Sequence, residues 1–363
     1  MSQTLRINAG RFACSAAASV GFLLTGSSIA FSHHPSGISS SGTSGPILTI
    51  PGTTLMKGSA IAWLAFEHIS FDELSNAVLE QGAAAHEHVH SLRSIESPTG
   101  GFAHGFTDRL MFSLQLPYVS RTGIREAEHQ HIHGATEMVV NEVIERGDSE
   151  GIGDLSVLGQ YRFTGKDSGL QASLLFGVKT PTGVTDERDD EGELFETEFQ
   201  PGSGSWDGLF GLALTQPIGR WSLDSNVLYI VATEGAQDTD LGDRFHYNGA
   251  VSYRLIGAGT AGATERHHEH QHTDHHEHRA RGNGGFAVDA VLEINGEWQA
   301  KQDIAGETDP NSGGNVVFLS PGVRLTSNAW SGFVSFGLPI VNDLNGEQSE
   351  PEYRLVGGIA VGF

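Results

Sequence analysis

Thirteen residues, Arg266 to His278, read RHHEHQHTDHHEH and hold seven histidines: His267, His268, His270, His272, His275, His276 and His278. Neutral imidazole is a ligand for Zn, Cu, Ni or Co. The interleaved Glu269, Asp274 and Glu277 offer oxygen ligands, or acceptors for the second ring nitrogen. Three smaller groups repeat the theme: His33-His34, HEHVH (His86, His88, His90) and HQHIH (His129, His131, His133). In an extended chain, i and i+2 side chains share a face and lie about 7 Å apart. A single ion therefore needs backbone that folds back on itself. Four clusters in one chain favour metal contact over plain polar linkers, of the weak, multivalent kind expected for His-rich low-complexity segments. No cofactor is required by any motif. HExxH, the P-loop and the G-x-S-x-G elbow are all absent from the sequence, so no catalytic residues are assigned and no enzyme is expected.

The N-terminus reads as an export signal. Arg6 and Arg11 precede the apolar run FACSAAASVGFLLTGSSIAF, which ends in small residues, with cleavage expected after Ala30 or Ser32. The one cysteine, Cys14, would leave with residues 1–32, so the exported chain holds neither a disulfide nor a thiolate metal site. A formal charge of −23 excludes a general affinity for nucleic acid. Beyond the signal no stretch has the 18 or so consecutive apolar residues of a spanning helix, so any membrane span must be made of strands.

Strands are what the exported part offers. In RFHYNGAVSYRL, Phe245, Tyr247, Val251, Tyr253 and Leu255 alternate with Arg244, His246, Asn248, Ser252 and Arg254. WSLDSNVLYIVAT, IGDLSVLGQYRF and EYRLVGGIAVGF repeat the period of two, with aromatics near segment ends and Phe363 as the last residue. Strands are expected near 58–69, 105–117, 118–126, 152–164, 169–181, 205–216, 220–233, 244–256, 285–298, 315–326, 329–341 and 352–363. The fold class is thus all-β: an antiparallel transmembrane β-barrel of about twelve strands spanning 58–363. Residues 33–57 are expected to form an N-terminal periplasmic segment, and 257–284 a His-rich insertion. Short links (Pro117-Tyr118, TGKDSG, PIGR, SNA) fall on the periplasmic side by parity. Long links (70–104, 127–151, 182–204, 234–243, 299–314 and 342–351) fall outside, as this class requires. The inward positions would line the lumen with Arg109, Asp154, Arg162, Lys179, Asp224, Arg244, Arg254, Asp289, Glu293, Arg324 and Arg354. Such a lining is either a salt-bridge network or a selectivity surface.

EGIGDLSVLGQYRF, LFGVKTPTG and QPGSGSWDGLFGLALTQPIGRWSLDSNVLYIVATEGAQDTDLGDRFHYNGAVSYRL resemble the MetA-pathway phenol-degradation family of outer-membrane transporters, over roughly residues 150–256. The resemblance implies an outer-membrane β-barrel that moves small molecules. It supplies no catalytic residues and does not reach the His tract. Three readings stay open: a channel for small solutes linked to divalent-metal handling by the His-rich loops; a closed surface barrel that binds or senses metal without flux; and a transporter of hydrophobic aromatic solutes with incidental histidines. The partners expected are outer-membrane lipid, small solutes or divalent metal ions, and a periplasmic uptake or efflux protein.

Overall fold

The computed structural model describes residues 45–132, 138–165, 169–257, 286–327 and 329–363. Twelve antiparallel strands close into a barrel: β1 (Ala60–Asp72), β2 (Thr99–Gly105), β3 (Leu110–Ile132), β4 (Ser156–Arg162), β5 (Gln171–Lys179), β6 (Asp207–Ile218), β7 (Trp221–Val231), β8 (Arg244–Ile256), β9 (Ala287–Gln299), β10 (Gly314–Thr326), β11 (Trp330–Leu344) and β12 (Glu350–Gly362). Each strand pairs with its sequence neighbour, and β12 returns to β1 in register from Ile61↔Gly362 to Asp72↔Glu350. Closure removes the unpaired strand edges that lipid could not satisfy. None of the described helices is long and apolar enough to cross a membrane.

The period-two pattern sorts the two faces. Leu212, Leu223, Leu292, Phe336 and Ile359 are exposed on the outside. Their polar neighbours Thr215, Asp224, Glu293 and Arg354 are buried inside. Trp206, Trp221, Trp298 and Trp330 stand exposed near the strand ends, where an aromatic ring meets the membrane interface. Both ends of the barrel chain share the rim of short turns, where Ala60 N donates to Phe363 O at 2.8 Å. The opposite rim carries the long loops, which places it outside the cell by the rule for this class.

Two strand expectations are corrected. Pro117-Tyr118 is not a turn: it lies within the continuous β3. β3 pairs with β4 through Leu110–Gln115 and then, from Tyr118 onward, with the strand Met138–Ile152, which extends the wall beyond the barrel. Pro117 sits at the seam between these partners, where the ladder on that side asks for no donor. The strand missing from the count is β2, TGGFAHG, whose glycines hide its period. Gly101 is needed for packing, because a Cβ there would come within 2.1 Å of the Trp63 indole. One false division and one omission cancel, which is why the number twelve survives. Helix α1 (Asn76–Ala85) lies in the β1–β2 connection and packs on β3 and the Met138–Ile152 strand, not in the lumen.

Candidate functional site

The lumen is occupied by the chain itself. Residues 45–57, expected in the periplasm, cross the interior of the barrel. The sequence GPILTIPGTTL cannot join the ladder easily, since Pro46 and Pro51 lack N–H groups. Its backbone is instead satisfied by lumen side chains. The Glu293 carboxylate accepts from the backbone N–H of Ile47 (3.2 Å), Leu48 (3.0 Å) and Thr49 (2.9 Å). Asn226 Oδ1 accepts from Ile50 N, and Thr215 Oγ1 from Gly52 N, both at 2.8 Å. Gln160 Nε2 donates to the carbonyls of Pro51 and Thr53, and Ser173 Oγ to that of Gly52. The path runs from β9–β10 across to β4–β5 and leaves at the short-turn rim, where Lys57 N meets Asp108. Gly52 is a point of close approach: a Cβ would lie 2.5 Å from Gln171 O and 2.9 Å from Ala213 O.

The wall behind this segment has two characters. On β4–β7, Leu158, Leu175, Leu209, Ala213, Leu228 and Ile230 form a buried apolar patch into which Ile50 inserts. Elsewhere the wall is charged and paired. Arg254 bonds Asp289, Lys179 Nζ lies 2.6 Å from Asp207 and 3.5 Å from Asp154, and Arg244 lies 3.8 Å from Asp207. Arg354 Nη2 donates to Asn295 Oδ1 at 2.8 Å, and its guanidinium sits 4.3 Å over the Phe318 ring. Asp224 accepts from Thr215 and Ser222, Arg162 donates to Gln171 Oε1, and Arg324 donates to Pro46 O. Asp154, Arg162, Lys179, Asp224, Arg244, Arg254, Asp289, Glu293, Arg324 and Arg354 are all buried on the inner face. Arg109 is the correction: it is exposed on the turn between β2 and β3, because β3 starts later than the pattern suggested.

A second closure comes from the long-loop side. The β5–β6 connection folds into the barrel mouth, packing Phe195 and Phe199 against Ile69, Phe71, Leu92, Ile95, Val119 and Ile124. Arg121 donates to the carbonyls of Phe199 and Gln200, and Ser149 Oγ to that of Phe199 at 2.7 Å. Where this lid meets the barrel wall lies a small cavity of about 70 Å³, lined among others by Gln115, Arg121, Asp154, Lys179, Gln200 and Arg244.

At the outer edge of the lid, histidines and carboxylates converge. Helix α1 ends on His86, in the left-handed region at φ 58°, and Glu87 N caps it by donating to Gly82 O. The chain then doubles back, with Val89 packed on Gly82 and His90 paired in register with Glu126 of β3. That alternation puts His88 and His90 on one side. His88 Nδ1 lies 3.2 Å from Glu196 Oε1. His90 Nε2 lies 2.8 Å from Glu126 and 3.8 Å from Glu196 Oε2, and its Nδ1 lies 3.3 Å from Glu198. Burial alone would lower the His90 pKa, but the Glu196 charge and hydrogen bonds to Glu126 and Glu198 hold it well above 6.5. The hydrogen bond to Glu196 likewise raises His88. Burial would raise Glu126; His90 and Arg146 override it and bring the carboxyl to about 2. Ligand atoms of His88, His90 and Glu196 all lie within 4.8 Å of one another.

Comparison with known proteins gives the fold a lineage. The family described as "Putative MetA-pathway of phenol degradation" matches residues 103–305. The chain belongs to this family. The COG4313 outer membrane channel from Pseudomonas putida F1 superposes with a TM-score of 0.52 at 14% identity, covering 86% of this chain and 97% of that one. A FadL homologue from Pseudomonas aeruginosa (TM-score 0.37, 8% identity, 85% and 90% covered) and the NanC porin (0.38, 6%, 82% and 98%) are more distant. No protein of curated function matches in sequence. A twelve-strand closed barrel of this family is a protein of the bacterial outer membrane.

In this phenol-degradation family member the other predicted ligands are not brought to the cluster. His86 is exposed at the helix end. The backbones of His129 and His131 pair within β3 and the Met138–Ile152 strand. His133 and the tract from His267 to His278 lie outside the described residues, as do His33 and His34 and the expected signal. Histidine counting missed the partners Glu126, Glu196 and Glu198. Glu126 belongs to β3; the signal for Glu196 and Glu198 was the alternating acidic ELFETEF in the β5–β6 connection, whose approach to His90 depends on the lid folding inward.

Proposed function

We propose that this protein passes small amphipathic solutes across the outer membrane through a lumen that its own residues 45–57 close at rest. Its role is transport and not catalysis. The observation that carries the reading is the placement of Ile50. The side chain fills an apolar patch on β4–β7, while polar groups a few ångströms away, Asn226 and Thr215, bind the adjoining backbone. A solute replacing the segment would find the same pair of surfaces, one for an apolar body such as an aromatic ring and one for a hydroxyl or carbonyl. Burial of Ile47, Ile50 and Leu55 stabilises the closed state by about 1.5–3 kcal/mol each before the ordering of the chain is set against it. The paired charges of the remaining wall favour hydrated or polar groups over lipid. The test is uptake of phenol against an uncharged sugar of similar size by liposomes carrying the purified barrel. Preference for phenol that is lost on Leu175→Asp, which puts a charge into the apolar patch, with the barrel still folded, supports the reading; equal permeation of both by the parent refutes the substrate class.

A second reading, handling of divalent transition metals by the His-rich loops, is favoured by one specific arrangement: the convergence of His88, His90 and Glu196 at the outer mouth. The two readings are compatible, since the cluster sits on the lid and not in the path.

A further inference from the structure

We propose that His88, His90 and Glu196 bind one divalent transition-metal ion, with Glu126 as a fourth donor, and that this ion fastens the lid to the barrel. The proposal rests on the metal-handling reading and deepens it by naming the site and its consequence. Four-coordinate zinc holds nitrogen and oxygen about 2.0–2.2 Å away, which puts neighbouring ligand atoms roughly 3.4 Å apart. Glu196 Oε1 and His88 Nδ1 already stand 3.2 Å apart, and Glu196 Oε2 and His90 Nε2 3.8 Å apart. Small side-chain rotations bring the set to a common centre.

Four features distinguish the cluster from an ordinary surface ion-pair network. Glu196 Oε2 is buried and accepts no hydrogen bond, although it faces His90 Nε2. A buried carboxylate oxygen without a partner is costly, and a bound cation would satisfy it. The other nitrogen of His90, Nδ1, meets Glu198 at 3.3 Å, the carboxylate–histidine arrangement that orients a metal-bound imidazole. The ring is further fixed edge-on against Phe199, with centroids 5.1 Å apart. Finally, Arg146 holds only one oxygen of Glu126, Oε1, and turns its other groups to Glu128 and Asp189, which leaves Glu126 Oε2 facing His90 Nε2 at 2.8 Å. A donor set of imidazole and carboxylate without sulfur suits Zn²⁺, Ni²⁺ or Co²⁺.

The ligands come from two separate parts of the chain. His88 and His90 are anchored by helix α1 and β3, whereas Glu196 belongs to the lid between Phe195 and Phe199. An ion shared between them would hold the lid shut.

The test uses the full chain with residues 264–281 removed, so that the histidine tract does not mask the site. Zn²⁺ binding is followed by calorimetry, Co²⁺ by its visible spectrum, and lid opening by limited proteolysis within residues 182–206. One Zn²⁺ equivalent in the tract-deleted protein should be lost, or weakened tenfold or more, in His90→Ala and in Glu196→Gln. The Co²⁺ bands should change in both variants. Zn²⁺ should slow lid cleavage in the parent but not in Glu196→Gln. If His90→Ala does not fold, Glu196→Gln decides alone, since it is nearly isosteric. Unchanged Zn²⁺ affinity and cleavage in Glu196→Gln overturns the site. Zn²⁺ binding by the undeleted chain with none in the tract-deleted protein overturns the site and leaves the metal-handling reading standing. No Zn²⁺ binding by either overturns both.

Discussion

Replacing Glu293 by Gln should unseat the luminal segment while leaving the barrel intact. The Glu293 carboxylate is fully buried and takes three consecutive backbone N–H groups, at 2.9 to 3.2 Å. Hydrogen bonds to a charged acceptor contribute about 1.5–3 kcal/mol each, neutral ones about 1. An amide keeps one acceptor oxygen and turns an NH₂ toward the donor of Leu48. Leu48 keeps only its 3.1 Å contact with Oε1, and all three bonds fall to neutral strength, a loss of about 0.5–2 kcal/mol each and about 1.5–6 kcal/mol together. At about 1.4 kcal/mol per factor of ten, the population with the segment out rises by roughly one to four orders of magnitude. Ser173 lies beneath Gly52 and is fully buried, so a cysteine there reports that population. In a Ser173→Cys background the rate of reaction with a small charged thiosulfonate should rise by that factor on Glu293→Gln. Gly52→Val should act in the same direction, because its Cβ would press on backbone oxygens of β5 and β6. A labelling rate within about threefold of the parent in both variants, with a normally folded barrel, would refute the idea that these contacts hold the segment in place.

Two further changes probe the wall and its charges. Gly101→Val drives side-chain atoms into the Trp63 indole; overpacking of this kind costs about 1–3 kcal/mol or more, visible as a lower midpoint of thermal unfolding. Lys179→Met leaves Asp154 buried without its cation and Asp207 with only Arg244 at 3.8 Å, and should destabilise by about 3–5 kcal/mol, with much of the loss recovered in Lys179→Met/Asp207→Asn. Equal destabilisation by the single and double changes would show that the pair is not what the structure depicts.

The barrel was readable because a wall with lipid on one side and a polar interior on the other forces alternation residue by residue, as in β7 and β8. Burial of ten of the eleven expected lumen residues follows from that constraint. The failures share a cause as well. β2 carries glycines where Trp63 needs room, and Pro117 looks like a turn unless the change of neighbouring strand is known. Residues 45–57 show no period at all, because their hydrogen bonds go to side chains scattered over β4 to β10. His88 and His90 were visible as a spacing. Their carboxylates were not, since Glu196 and Glu198 reach them only after the β5–β6 connection has folded into the mouth.

The most direct test is the single-channel current of the purified protein in a planar bilayer, compared with a form lacking residues 45–57. A channel closed by its own N-terminal segment should pass rare, brief openings in the intact form and a larger, more persistent current in the shortened one. Identical currents in the two forms, or no current in either despite a folded barrel, would contradict it.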